Sequence, residues 1–309
     1  MRLIFCTAAL AATLSATTLG SAAAVIRVVT TTEDLAALAR EIGGDRVEVL
    51  ALARGYQDPH FVEPKPSFIV AVNRADQLIA VGRELEIGWL PTLITSGRNA
   101  RVQPGAPGYL DASLNVRILD IPVGQITRAM GDVHSQGNPH YWLDPANGRR
   151  IAEAIRDRLT QLVPADRSYF AGRYDAFDKR LAAAEARWDA ALAPFAGTKV
   201  VTYHRSWPNL MERWKLNVIG YVEPKPGIPP SPSHTLQLIT EMKAQGVKLI
   251  IVEPYFDKKT PQAIAAQVGG LVLELPPSVG GQPGITDYIG LFDHNVAALA
   301  AALKKVTGK

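Results

Sequence analysis

Residues 26–53 read IRVVTTTEDLAALAREIGGDRVEVLALA, and this stretch decides the fold. Its first seven residues are rich in β-branched side chains and form a strand pattern. EDLAALAREIGG then places its apolar residues at helical spacing and ends on Gly43-Gly44, a helix stop. RVEVLALA returns to strand character. Strand, helix and strand in immediate succession make the β-α-β unit of an α/β domain with a mostly parallel sheet. QLIAVG at 77–82 and NVRILDI at 115–121 predict two further strands.

ANGRRIAEAIRDRLTQLV at 146–163 predicts a helix stopped by Pro164. Beyond it, Phe170, Tyr174, Phe177, Leu181, Ala184, Trp188, Leu192 and Phe195 recur every three or four residues, the apolar stripe of one long helix. At 1.5 Å per residue that helix is roughly 40 Å long, about the length of a domain. The β-α alternation restarts directly after it, with strands expected in TKVVTYH, NVIGYV, VKLIIVEP and LVLELP and a closing helix near 288–305. The expected architecture is therefore α/β, with two lobes of mostly parallel sheet joined by a long backbone helix. Its parts are a first lobe at 25–163, the connecting helix at 164–195 and a second lobe at 196–309. Neither lobe carries a glycine-rich phosphate loop.

The first 24 residues combine an early Arg2, an apolar stretch from about Leu3 to Leu14 and a small-residue end at Ser21 to Ala24. That is the layout of a secretory signal peptide, and it predicts an exported, periplasmic protein. Cys6, the one cysteine, lies inside this segment behind almost no charge, unlike a lipid-attachment site. The mature chain then has no thiol for a metal site, a nucleophile or a disulfide. A net charge of +4, with basic residues scattered and aromatics at 7%, gives no footprint for nucleic acid.

The chemistry concentrates in histidines. His60 lies in DPHFVEP after a strand, His140 in GDVHSQGNPHYWLDP, and His204 directly after VVTY. All three fall just past strand-like segments or in the loops that follow them, the edge where open α/β sheets bind ligands. Neutral imidazole is a common zinc ligand, and Pro59 and Pro139 restrict the backbone before two of the three. Separations of 80 and 64 residues match no helical zinc-protease motif, so the site is one assembled between lobes. His134, in the polar part of the same loop as His140, reads first as a solvated side chain, with a transient metal contact as the alternative. His234 belongs to the first turn of a helix and His294 to the closing helix.

With these residues assembled, the chain resembles the periplasmic zinc and manganese receptors of ABC transporters, the group that includes zinc-uptake and treponemal-type metal binders. The resemblance covers essentially the whole mature chain. It rests on DPHFVEPKPS at 58–67, NPHYWLDP at 138–145, the histidine after a strand at 204, the long helix, and IIVEP at 250–254. It implies a two-lobed receptor that captures one divalent ion in the cleft and delivers it to a membrane permease, as a monomer and with room for a periplasmic metallochaperone. His60 and His140 would then be ligands from the first lobe and His204 from the second.

Members often add an aspartate from the second lobe, but that position here falls at about Pro276, which offers no ligand. Glu253, at the end of the strand VKLIIV, is the substitute, either as fourth ligand or as an acceptor that orients an imidazole. Glu274, Asp287 and water are the other options. Three histidines without a clear carboxylate favour Zn2+ over Mn2+ as the transported ion. The rival reading is a zinc hydrolase or hydratase with an open water position, using Glu253 or Asp58 as base. A metal-dependent adhesin at the cell surface is a third.

Overall fold

The computed structural model describes residues 25–124, 131 and 133–309; the leader expected at 1–24 lies outside the described residues. The opening stretch folds as its pattern requires. Strand β1 (Ile26–Thr30) leads into helix α1 (Glu33–Gly43), whose first turn is capped by Thr32, and β2 (Val47–Ala51) returns parallel to β1. Helix α2 (Pro66–Arg74), β3 (Gln77–Ala80), α3 (Leu90–Gly97) and β4 (Tyr109–Asp111) complete the first sheet in the order β2-β1-β3-β4, with every pair parallel.

After α4 (Pro145–Leu162), helix α5 runs from Arg167 to Leu192, 26 residues or about 39 Å. The second sheet repeats the plan as β6-β5-β7-β8, again all parallel. Its strands are β5 (Lys199–Thr202), β6 (Asn217–Tyr221), β7 (Leu249–Val252) and β8 (Leu271–Glu274). Helices α6 (Pro208–Arg213), α7 (Pro232–Gln245), α8 (Lys259–Val268) and α9 (Tyr288–Thr307) intervene and close the chain. No helix among the described residues is long and apolar enough to cross a membrane.

One expectation shifts. NVRILDI at 115–121 forms no strand; β4, which ends at Asp111, takes the edge beside β3 instead. The 115–121 segment instead crosses toward the second lobe, where Arg117 pairs with Glu212 at 2.6 Å, while Val116 and Ile118 pack on the core. Its apolar residues answer a packing demand rather than a sheet.

The lobes share one core. Phe170, Phe177, Leu181, Ala184, Trp188 and Leu192 of α5 are buried in a single cluster with residues of α1 and α4 on one side and α9 on the other. Backbone fits closely at the seam: a Cβ on Gly55 would sit 1.8 Å from the Val279 carbonyl oxygen. Trp142 donates its indole N–H to the Pro277 carbonyl at 2.9 Å, and Tyr288 donates to the Trp142 carbonyl. Asp34 in the first turn of α1 accepts from Val279 N at 3.0 Å and from the Ser278 hydroxyl.

Burial raises the Asp34 carboxyl to about 7, against its hydrogen bonds, so the folded protein holds it protonated where the unfolded chain, at 3.8, has released the proton. Stability from this group is therefore full below about pH 4 and falls as pH rises to about 7, by an upper bound on the order of 4 kcal/mol. Asp34→Asn removes that loss. In urea unfolding at pH 4 and pH 7, the variant should gain on the parent as pH rises; a difference independent of pH would contradict a protonated Asp34.

Candidate metal centre

His60 and His140 are set by the same local device. The side-chain oxygen of Asp58 accepts from both the backbone N–H of His60 (3.0 Å) and its ring Nδ1 (2.7 Å). Asn138 does the same for His140, at 2.9 and 3.0 Å. The frame is Asp/Asn-Pro-His: proline stiffens the turn, and the residue before it locks the ring. The other end of Asn138 crosses the cleft, its Nδ2 donating to the Arg205 carbonyl at 2.7 Å. Trp89 holds the Pro59 carbonyl at 3.0 Å, so the His60 turn is anchored to the first-lobe core.

His204 leaves the end of β5, where the Thr202 hydroxyl donates to the His204 carbonyl at 2.8 Å. Its Nδ1 meets Glu223 Oε2 at 2.7 Å. Glu223 follows β6 and is itself positioned by its N–H to the Tyr203 carbonyl. Each of the three acceptors is an oxygen without a proton to give, so each Nδ1 carries the hydrogen and each Nε2 keeps a lone pair. The three rings form a nearly equilateral group, with centroids 5.2, 5.5 and 5.6 Å apart. One ligand atom from each lies within 4.8 Å of the others, close enough for a small inward shift to bring them to a common cation.

The electrostatics differ from ring to ring. Burial, then the neighbouring imidazoles, hold His140 well below the usual histidine range, and its buried Nε2 has no hydrogen-bond partner. A buried lone pair without a donor is costly in a finished core and is what a cation would satisfy. Burial pulls His204 down too, but the Glu223 hydrogen bond and the Glu253 charge outweigh it and the net shift is upward. Asp58 is held below the ordinary aspartate value because its bonds to His60 outweigh its burial.

The structure thus brings His60, His140 and His204 together, and leaves Glu253 outside the group. Glu253 lies just past β7 as expected, but its carboxylate is fully buried with neither oxygen hydrogen-bonded, and burial raises it to about 7. Ser206 and Trp207 are its polar neighbours. The 276 position is occupied by packing: the Pro276 carbonyl accepts from Asn295 at 2.8 Å. Glu274 is paired with Lys258, and Asp287 caps α9 through Gly290 N.

His134 corrects the sequence reading. Far from being solvated, it is half-buried, with its ring stacked on His60 at 5.2 Å and its Nε2 3.1 Å from His60 Nε2. His234 and His294 fall in α7 and α9, where they were expected. Glu223 was missed because its partner histidine is 19 residues away on another strand; no spacing rule reaches it. Asp58 and Asn138 had a local signal, the shared residue before Pro-His.

Removing an outer partner of a ligating histidine costs roughly 10–100-fold in metal affinity. Glu223→Gln should therefore weaken divalent-metal binding by that order while leaving the thermal transition of the metal-free protein near its parent value. Unchanged affinity would show that Glu223 does not tune the His204 ring.

The family model for the zinc-uptake complex component A, periplasmic, matches residues 28–302. The high-affinity zinc uptake system protein ZnuA of Paracoccus denitrificans is 27% identical, with 95% of this chain and 97% of that protein covered. Among solved structures, a crystal structure of ZnuA is similar with a TM-score of 0.76 and 26% identity, covering 90% of this chain and 99% of that one. The binding protein FpvC from Pseudomonas aeruginosa, in complex with Mn2+, is similar with a TM-score of 0.76 and 25% identity, covering 91% and 99%.

Proposed function

The chain belongs to the family of periplasmic zinc-uptake complex component A, and from that membership we propose that it is a solute-binding protein that captures one divalent ion, zinc, and hands it to an ABC permease. His60, His140 and His204 are the ligands. The observation that carries this reading is the convergence of three Nε2 lone pairs from both lobes, each ring fixed through its Nδ1. An all-nitrogen set favours zinc over manganese, which prefers oxygen donors.

Glu253 acts on His204 through its charge rather than as a ligand, a role its burial beside Ser206 and Trp207 supports. The hydrolase reading has no observation in its favour. Of its two candidate bases, Asp58 is committed to the Nδ1 of His60 and Glu253 lies outside the triad. The ion is cargo here, and the protein's task is to hold it with rings that need little rearrangement.

Titration calorimetry of metal-free protein with zinc and with manganese tests the reading. One zinc per chain, bound more tightly than manganese, and roughly a hundredfold or greater loss in His140→Ala, a cost beyond that of an outer partner, are expected. Absent zinc binding, or manganese preferred, would contradict it.

A further inference from the structure

Lysines that are scattered along the second half of the sequence gather in the fold, and we propose that they form a reversible docking face for an anionic lipid membrane, at the end of the second lobe away from the cleft. Lys215 precedes β6, Lys199 opens β5 and Lys248 precedes β7, three neighbours in the sheet order β6-β5-β7. The β5–β7 register, Val201 against Ile250, extends down to Lys199 against Lys248, on strands about 4.8 Å apart. Gly197 N donates to the Lys215 carbonyl at 2.7 Å, which fixes the turn before β6 beside the turn before β5. The end of α9 joins the same face, because Lys309 Nζ donates to the Pro194 carbonyl at 3.1 Å, just ahead of β5. Lys304 and Lys305 sit in the last turn of that helix, and Lys243 in the last turn of α7. All of these lysines are exposed.

Nothing acidic within these segments offsets them. Residues 193–200, 213–218, 242–252 and 294–309 include no Asp or Glu. Asp189 and Glu212, at the borders, pair with Arg213 and Arg117. The strand-opening edge of the first lobe is built differently: Arg27 and Arg101 share Asp76, and Arg46 pairs with Asp166. Lys243, Lys304 and Lys305 also offset the dipoles of the helices they end. Lys199, Lys215 and Lys248 stand in strand-opening positions and have no such role.

Lysines are point charges on flexible stems, and a row of them along one sheet edge, with no arginine fork and no buried pocket, suits a spread of phosphate headgroups rather than one bound phosphate. Phe195 and Trp214, the aromatic residues of these segments, are buried, so no ring is offered to a nucleobase. The face is also well placed. His204 lies just past the other end of β5, roughly 17 Å along the strand direction from Lys199. A molecule resting on a bilayer by its lysine edge keeps the cleft turned to solvent, where it can collect ions close to the membrane.

The test is sedimentation of the protein, with and without zinc, on vesicles of equal parts phosphatidylglycerol and phosphatidylcholine and on vesicles of phosphatidylcholine alone. Expected is binding to the anionic vesicles only, in both zinc states, and its loss at about 1 M salt, where the screening length falls to about 3 Å. A lysine at an anionic surface is worth about fivefold in affinity, so Lys199→Gln, Lys215→Gln and Lys248→Gln together should weaken binding roughly a hundredfold. Lys304→Gln with Lys305→Gln, a separate variant, should cost on the order of twentyfold. Lys65→Gln, Lys179→Gln and Lys259→Gln together remove the same charge from other exposed positions and should leave most of the binding in place. Equal losses in the two triple variants, binding to neutral vesicles, or binding to soluble polyphosphate but not to vesicles would each overturn the proposal. None of these outcomes depends on the zinc reading, which the calorimetric titration tests separately.

Discussion

The separation of the two parallel sheets is the constraint on which everything else depends, and α5 sets it. Its buried face joins α1 and α4 of the first lobe to α9 of the second in one continuous apolar cluster. Each large side chain in such a cluster contributes about 1.5–3 kcal/mol by leaving water. The seam is reinforced where Asp34, Trp142 and Tyr288 reach across to or from the segment after β8. With the sheets held in this way, the loop after β2, the turn before α4 and the end of β5 meet at one point. A histidine at each of those three places then needs only a fixed ring orientation to become a site.

Orientation comes from hydrogen bonds that serve a second purpose. Asp58, Asn138 and Glu223 each occupy an Nδ1, which fixes the tautomer and aims Nε2 inward. Their charges are unequal. Asn138 is neutral and leaves the deeply buried His140 reluctant to protonate, while Glu223 favours a proton or a cation on His204. Asn138 also ties the first-lobe turn to the Arg205 carbonyl, beside His204. One amide therefore orients a ring and registers the two lobes against each other. The three-histidine group is pre-organised in the sense that little has to move for a cation to be held there.

Much of this was legible in the sequence, for identifiable reasons. The β-α-β pattern at 26–53 and the stripe from Phe170 to Leu192 are long and strongly periodic, so local pattern and tertiary structure agree. That His60, His140 and His204 come together was legible because strand ends are where α/β sheets place ligands. What escaped had no periodic signal. β4 is three residues long, and the apolar residues of 115–121 serve the lobe seam rather than a strand. Glu223 became a partner only when β6 was laid beside β5. His134 was expected first in solvent because a polar loop suggests it, whereas it lies half-buried against His60, and nothing in the sequence shows that Glu84 anchors Ser135. Glu253 has the expected place past its strand, buried beside Ser206 and Trp207 and close enough for its charge to act on His204, but outside the group of three imidazoles.

The most direct test of the central claim is a crystal structure of the zinc-loaded protein with anomalous diffraction at the zinc edge. A single zinc peak is expected, bonded to Nε2 of His60, His140 and His204, with Nδ1 of each ring still on Asp58, Asn138 and Glu223, and with the packing around α5 unchanged. A zinc peak elsewhere, or bonding through Nδ1 with those hydrogen bonds broken, would contradict it.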